Sequence, residues 1–303
     1  MSSENASVKS IVFALLANLG IAITKTVAAV LTGSGSMLAE SIHSYADCGN
    51  QGLLFLGLKK SKKAPEEEHP LGHGKEIYFW SFIVALMLFS MGGLFSVYEG
   101  VHKLSAHEGL KSPMIAIVVL SVSIVLEGFS LYGCLTQIKK VKRPGVSLWS
   151  WVKNTRQSEL VVVLGEDVAA LLGLMFALIA ILLAMITGNA VFDAVGSIGI
   201  GVLLVFVSVF LAMKVKGLLI GQSADRQTRE DIKLALESQP QVEEILNIIT
   251  LQLGSEIMVS LKAKMKKTAS AEELVKDINA CEAALKMSNS AVRWVFFEPD
   301  VER

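Results

Sequence analysis

Six long apolar segments constrain this chain more than any other feature of its sequence. Each is close to the roughly 20 residues that a helix needs to cross a hydrocarbon core of about 30 Å. Hydrophobic residues make up 52% of the chain and charged residues only 18%, which is typical of a membrane protein. The sequence therefore predicts an all-α bundle of six transmembrane helices, at residues 8–31, 37–58, 78–102, 113–137, 160–187 and 191–213.

Positive charges mark one side of this predicted bundle. Lysine and arginine residues follow the second, fourth and sixth segments, whereas the first and fifth connections carry none and the third carries Lys103 and Lys111. Because such residues accumulate on the cytoplasmic side of membrane proteins, this distribution predicts that both termini are cytoplasmic. We expect a multi-pass protein of the bacterial inner membrane, although the sequence alone also allows an organellar membrane.

The chain becomes more polar after residue 216, and its pattern there is that of a separate domain. Helical spacing covers Asp225–Ser238, with Thr228 as the expected start, and a capping box at Ser270 opens a second helix. Three strands are expected, at Val242–Leu253, Glu256–Lys266 and Ala291–Phe297. This α-β-β-α-β order predicts a small α+β domain that lies outside the membrane.

The second apolar segment contains a polar stripe. His43 and Asp47 are four residues apart, so they share one face of a helix and can offer an imidazole nitrogen and a carboxylate to one ion. Ionisable groups at membrane depth are costly, and they usually face a cavity that serves transport. The stripe therefore predicts a metal site inside the bundle.

Further motifs occur in order along nearly the whole chain: Asn18 and Lys25, Gly33–Ser36, His69–Glu76, Glu99–Leu104, Leu218–Gly221 and Val295–Asp300. Together with His43 and Asp47 they resemble the cation diffusion facilitator family of divalent-metal/proton antiporters. The resemblance implies a transmembrane domain at 1–216 and a cytoplasmic α+β domain at 217–303, similar to ferredoxin-like metallochaperones. It also implies a homodimer that contacts the lipid bilayer, divalent metal ions and protons.

In that family the transported ion binds between the second and fifth helices, with two ligands from each helix at a spacing of four. His43 and Asp47 match the first pair, and Asp167 matches the carboxylate of the fifth helix. The remaining position holds Val163 instead of a histidine or aspartate. Glu166 can replace the missing ligand if the helix is distorted, because it is offset from Asp167 by about 100° around the axis. We therefore predict His43, Asp47, Asp167 and Glu166 as metal ligands.

Two alternatives for the acidic residues stay open. Glu166 can instead form a hydrogen bond to a neighbouring helix, and Glu127 in the fourth span can line the same cavity.

The loop with His69 and His73 binds a second metal in some relatives, and Pro70 excludes a helix there. The tail contains no histidine, so we expect it to dimerise, through its sheet and apolar residues such as Ile245, Ile248 and Val292, rather than to sense metal.

We interpret the chain as an exporter of a divalent cation, zinc in preference to manganese, iron or cobalt, in exchange for protons. A membrane scaffold or regulator with reduced transport is the alternative, favoured by the vacancy at Val163. An enzyme is not expected, because neither HExxH nor GxSxG occurs. A formal net charge of +0 gives no indication of nucleic-acid binding.

Overall fold

The computed structural model of the chain describes residues 18–106 and 111–302. Residues 8–17 of the first predicted span lie outside this part. The described residues form α1 (Asn18–Thr32), α2 (Gly35–Ser61), α3 (Glu76–Met87), a π-helical segment (Leu88–Leu94), α4 (Phe95–Ala106), α5 (Pro113–Val141), α6 (Leu148–Asn154), α7 (Ser158–Thr187), α8 (Val191–Ile220), α9 (Arg226–Glu237), β1 (Val242–Leu253), β2 (Glu256–Met265), α10 (Ala271–Ser288) and β3 (Val292–Pro299).

Four helices of the described chain are long and apolar enough to cross a membrane: Glu76–Ser105, Pro113–Val141, Ser158–Thr187 and Val191–Ile220. The described part of α1 is apolar but shorter. Helix α2 has 27 residues, and its polar side chains lower its hydropathy. A count of six spans therefore stays a prediction.

The third predicted span is not a uniform α-helix. Helices α3 and α4 continue into each other through the π-helical segment Leu88–Leu94. Such segments are rare, and they often occur at functional sites. Here Gly92 faces Leu204 of α8, and a Cβ atom at Gly92 would lie 3.7 Å from Nδ1 of His43. The wider turn therefore brings backbone close to the predicted metal ligand.

Glycines also allow α8 to pack against this span at backbone distance. A Cβ atom at Gly201 would lie 2.7 Å from the carbonyl oxygen of Gly93, and one at Gly100 would lie 2.7 Å from the carbonyl oxygen of Ala194. Small residues permit such close approach between membrane helices. Ser197 adds a hydrogen bond from its hydroxyl to the Ser96 carbonyl oxygen (2.8 Å).

The chain separates into two compact units. Among the described residues, one unit comprises 18–57, 80–106, 111–145 and 159–215. The second comprises 58–79, 146–158 and 216–302. The second unit therefore contains the polar tail together with two of the connections between apolar helices.

The tail has the predicted α-β-β-α-β order. Strand β2 pairs antiparallel with β1 and parallel with β3, in the order β1-β2-β3. Ile232, Val259 and Leu285 belong to its buried core. Val292 lies in that core, and Ile245 and Ile248 pack against it. These three side chains therefore make at least part of their apolar contacts within the tail itself.

The helix ends of the tail show their caps directly. The carboxylate of Asp225 accepts hydrogen bonds from the backbone N–H groups of Gln227 and Thr228. The predicted helix start at Thr228 is therefore wrong. Asp225, three residues earlier, caps α9 by accepting from the free backbone N–H groups of the first turn. Ser270 caps α10 as expected, with its hydroxyl accepting from the N–H of Glu273.

Within the second unit, the connection after α2 contacts the β1–β2 turn. A Cβ atom at Gly254 would lie 2.5 Å from the carbonyl oxygen of Gly74, so two backbones meet without side chains between them. The hydroxyl of Tyr78 accepts a hydrogen bond from the N–H of Gly254 (2.9 Å). Arg156 donates from Nε to the carbonyl oxygen of Ser223 (2.7 Å).

Candidate metal centre

The start of α2 is fixed by a carboxylate from another helix. Gly33 adopts a φ of 67°, which ends α1 and turns the chain into α2. Asp193, near the start of α8, accepts hydrogen bonds from the hydroxyl groups of Ser34 and Ser36 and from the N–H of Gly35. The glycine-serine turn therefore anchors the helix that carries the polar stripe.

His43 and Asp47 lie together on α2, as their spacing predicts. Nε2 of His43 is 3.6 Å from Oδ2 of Asp47, and the His43 side chain is fully buried. Within the described residues, neither ring nitrogen of His43 nor Oδ1 of Asp47 has a hydrogen-bond partner. Buried polar atoms are normally satisfied, so each such group needs an explanation. A ligand that accepts their lone pairs is one.

The two carboxylates of α7 contact different helices. Oε1 of Glu166 accepts a hydrogen bond from the side-chain amide of Asn50 on α2 (2.6 Å). Oδ1 of Asp167 accepts one from the hydroxyl of Ser130 on α5 (3.1 Å). Oδ2 of Asp167 has no hydrogen-bond partner in the described part of the chain. The alternative in which Glu166 bonds a neighbouring helix is therefore observed, and Asp167 keeps one free oxygen.

The structure brings only part of the predicted ligand set into coordination distance. Asp47 interacts electrostatically with Glu127, Glu166 and Asp167, so these acidic groups surround one region of the bundle. The four predicted ligands are nevertheless not a closed cage, since no three of them have ligand atoms that all lie within 4.8 Å of one another among residues 18–106 and 111–302. His43 and Asp47 form a close pair.

Asn50 is a site residue that the sequence reasoning missed. It is buried, lies seven residues after His43 on the same side of α2, and joins Glu166 to that helix. Its Oδ1 atom has no hydrogen-bond partner among the residues described. Continuing the stripe from His43 and Asp47 by one more turn identifies it from the sequence.

A second cluster of ligand-type side chains lies in the connection after α2. Glu66, His69 and His73 have their ligand atoms within 4.8 Å of one another, and they are the only such group in the described chain. Oε1 of Glu66 is 2.9 Å from Nε2 of His73 and 3.2 Å from Nδ1 of His69. These hydrogen bonds, the one with His73 foremost, lower the pKa of the Glu66 carboxyl from its usual value.

Comparison with known proteins identifies the same kind of chain. Residues 11–220 match the family model of the cation efflux transmembrane domain. The human proton-coupled zinc antiporter SLC30A9, a mitochondrial protein, is 36% identical over 231 residues, which is 76% of this chain and 41% of that protein. Metal tolerance protein C4 of Arabidopsis thaliana is 32% identical over 74% of this chain and 49% of its own length.

A bacterial relative is more distant but covers more of its own length. Magnetosome protein MamB of Magnetospira sp. is 26% identical over 75% of this chain and 72% of that protein. By contrast, this chain spans less than half the length of the zinc antiporter and of the plant protein that it matches. The matched domain ends at residue 220, the last residue of α8. The chain belongs to the cation efflux family of membrane proteins, the cation diffusion facilitators.

Proposed function

We propose that this chain is a secondary transporter that exports a divalent metal cation, zinc in the first instance, from the cytoplasm in exchange for protons. The observation that carries the proposal is the close pair of the buried His43 and the partly buried Asp47, in which both ring nitrogens of His43 and Oδ1 of Asp47 lack hydrogen-bond partners within the described residues. Asp167 on α7 offers a further free carboxylate oxygen. Similarity to a protein named as a zinc antiporter supports the same function.

Proton exchange follows from the chemistry of these ligands. An imidazole or carboxylate must lose its proton before it binds a metal, so metal binding at this site releases protons. If the site opens to one side of the membrane at a time, metal moves one way and protons the other. Such alternating access requires α2 and α7 to stay together around the ion while the bundle opens to either side.

Zinc is proposed because one imidazole with carboxylates suits it, but this donor set also suits manganese, iron or cobalt. The direct test is flux of each metal into proteoliposomes that contain a pH-sensitive dye. We expect zinc uptake with opposite proton movement. A folded protein that moves neither metal nor protons in this assay would support the scaffold alternative instead.

The vacancy at Val163 allows a test of which α7 carboxylate faces the ion. Val163 lies one turn before Asp167, and the fully buried Val162 lies one turn before Glu166. A histidine one helical turn before the α7 carboxylate that binds the ion would supply a second nitrogen and favour a tetrahedral zinc site. We expect Val163→His to raise zinc affinity relative to manganese by about tenfold, measured by titration calorimetry on the purified chain.

The matched variant for this comparison is Val162→His. A gain from Val162→His with none from Val163→His would assign the ligand role to Glu166 and exclude Asp167. No gain from either would show that α7 supplies no paired ligands.

We further propose six transmembrane helices with both termini in the cytoplasm, a homodimer and a bacterial inner membrane as the location. Four helices that can cross a membrane support the first proposal, and the positions of lysine residues after α2 and α5 support the orientation. Exposed apolar side chains of the tail, among them Ile249, Met287 and Phe296, offer a surface for a second copy.

The Glu66, His69 and His73 cluster is proposed as a second metal site. In a His43→Ala/Asp47→Ala background, we expect the chain to bind about one zinc ion at pH 7.5 and to bind it more weakly at lower pH, because protons compete with the metal for the same ligand atoms. The depressed pKa of Glu66 favours its charged carboxylate, which is the form that binds a metal ion.

Calorimetry at several pH values checks this expectation. His73→Ala should abolish the binding, whereas His102→Ala on α4 should not change it. Zinc binding that survives His73→Ala would contradict the proposed site.

A further inference from the structure

One positive charge is enclosed in the same bundle as the acidic groups. Lys25 on α1 is fully buried, and it is the only lysine or arginine of residues 18–106 and 111–302 that is buried. Its ammonium group donates to the hydroxyl of Ser44 (2.7 Å) and lies 3.3 Å from Oε2 of Glu40. A lone charge in such a place is costly unless a partner compensates for it.

Glu40 places this ion pair on the polar stripe of α2. It lies three residues before His43 and seven before Asp47, so the three side chains follow one face of the helix. The stripe that begins at Glu40 therefore includes both an ion pair and the predicted ligands.

The other carboxylate oxygen of Glu40 faces α7. A Cβ atom at Gly173 would collide with Oε1 of Glu40, so the glycine makes room for the carboxylate. This Oε1 atom has no hydrogen-bond partner in the part of the chain that the structure describes. Glu40 therefore contacts the same two helices that carry the predicted ligands.

Electrostatic interactions extend from this pair to the predicted ligands. Lys25 interacts with His43 and Asp47 as well as with Glu40. Two charges that lie several ångströms apart in a protein interior still interact strongly enough to change the affinity for an ion by about tenfold or more. The pair is thus close enough to influence an incoming cation.

We propose that Lys25 and Glu40 are positioning residues that set the charge of the transport site without binding the metal. Lys25 supplies a resident positive charge that lowers affinity for the divalent cation, so that the ion can leave. Glu40 holds and neutralises the ammonium group, so that the ion can still enter. This inference rests on the proposed function, because it assumes that the ion binds beside His43 and Asp47.

Opposite effects of two substitutions distinguish this role from a structural one. Lys25→Met removes the positive charge and should tighten zinc binding by about tenfold, with a lower KM and a lower kcat of transport. Glu40→Gln removes the negative charge, leaves Lys25 uncompensated, and should weaken binding by a similar factor. The double variant Lys25→Met/Glu40→Gln should return to within about threefold of the parent. Loss of a purely structural ion pair has no reason to move affinity in opposite directions.

Zinc titration calorimetry and proteoliposome flux on the full chain measure these quantities. Thr26→Val is the matched control, because Thr26 joins α1 to Ser41 of α2 through a neutral hydrogen bond of 2.7 Å. It should leave zinc affinity unchanged. If Lys25→Met does not fold, Glu40→Gln and the double variant still decide, since the double variant must recover the affinity that Glu40→Gln loses.

Two results overturn the inference while leaving the proposed function intact. One is a shift of both single variants in the same direction. The other is complete loss of binding in Glu40→Gln and in the double variant, which would make Glu40 a direct ligand. By contrast, zinc binding that His43→Ala leaves unchanged, with the Glu66 cluster removed, would refute the proposed site itself.

Discussion

Zinc flux falls at least about 100-fold in His43→Ala and in Asp47→Ala, if these residues bind the transported ion. Loss of groups that only orient a metal ligand already costs 10–100-fold in metal affinity or activity, and loss of a ligand costs more. Neither ring nitrogen of His43 forms a hydrogen bond with a described residue, so the substitution removes no such bond. Proteoliposome flux, normalised to folded protein, measures the effect.

His102→Ala is the matched control for the histidine substitution. His102 lies on the exposed side of α4, and its loss should leave flux within about twofold of the parent. Parent-like transport by either His43→Ala or Asp47→Ala would show that the ion binds elsewhere in the bundle.

The contact between α8 and the third span gives the second large expectation. Gly201→Val should destabilise the folded chain by about 3 kcal/mol or more, because the added side chain meets backbone that cannot move aside easily. A Cβ atom there already lies 2.7 Å from the carbonyl oxygen of Gly93 and from the backbone nitrogen of Val97. Thermal denaturation in detergent, followed by size-exclusion chromatography, measures the loss.

Gly199→Ala provides the comparison on the same helix. A Cβ atom at Gly199 would meet no described atom within 4 Å, so this variant should be as stable as the parent. Equal stability of Gly201→Val and Gly199→Ala would mean that α8 does not pack at backbone distance in the bundle.

The elements of the tail were predictable because strong local signals mark their ends. Strand β1 occupies Val242–Leu253 as expected, and Gly254 with a φ of 66° makes the turn into β2. Helix α6 (Leu148–Asn154) was not expected, because seven residues are too few to show a helical period. The start of α9 was misplaced because Asp225 and Thr228 are both capping residues, and only the geometry selects between them.

The predicted site shows a similar division. The closeness of His43 and Asp47 follows from helix spacing alone. The contact between Glu166 and Asn50 joins residues 116 positions apart, so it depends on how α2 packs against α7. The Lys25–Glu40 pair was likewise out of reach, because the sequence shows both charges without showing that they meet.

The π-helical segment also changes how the third span must be aligned and drawn. A segment of this type inserts about one residue into an α-helix, so side chains after Leu94 are rotated by about 100° from the positions that a continuous α-helix gives them. A helical wheel drawn over Glu76–Ser105 as one helix therefore assigns the wrong lipid-facing side to one half of it. Scanning mutagenesis of this span should be interpreted separately for α3 and α4.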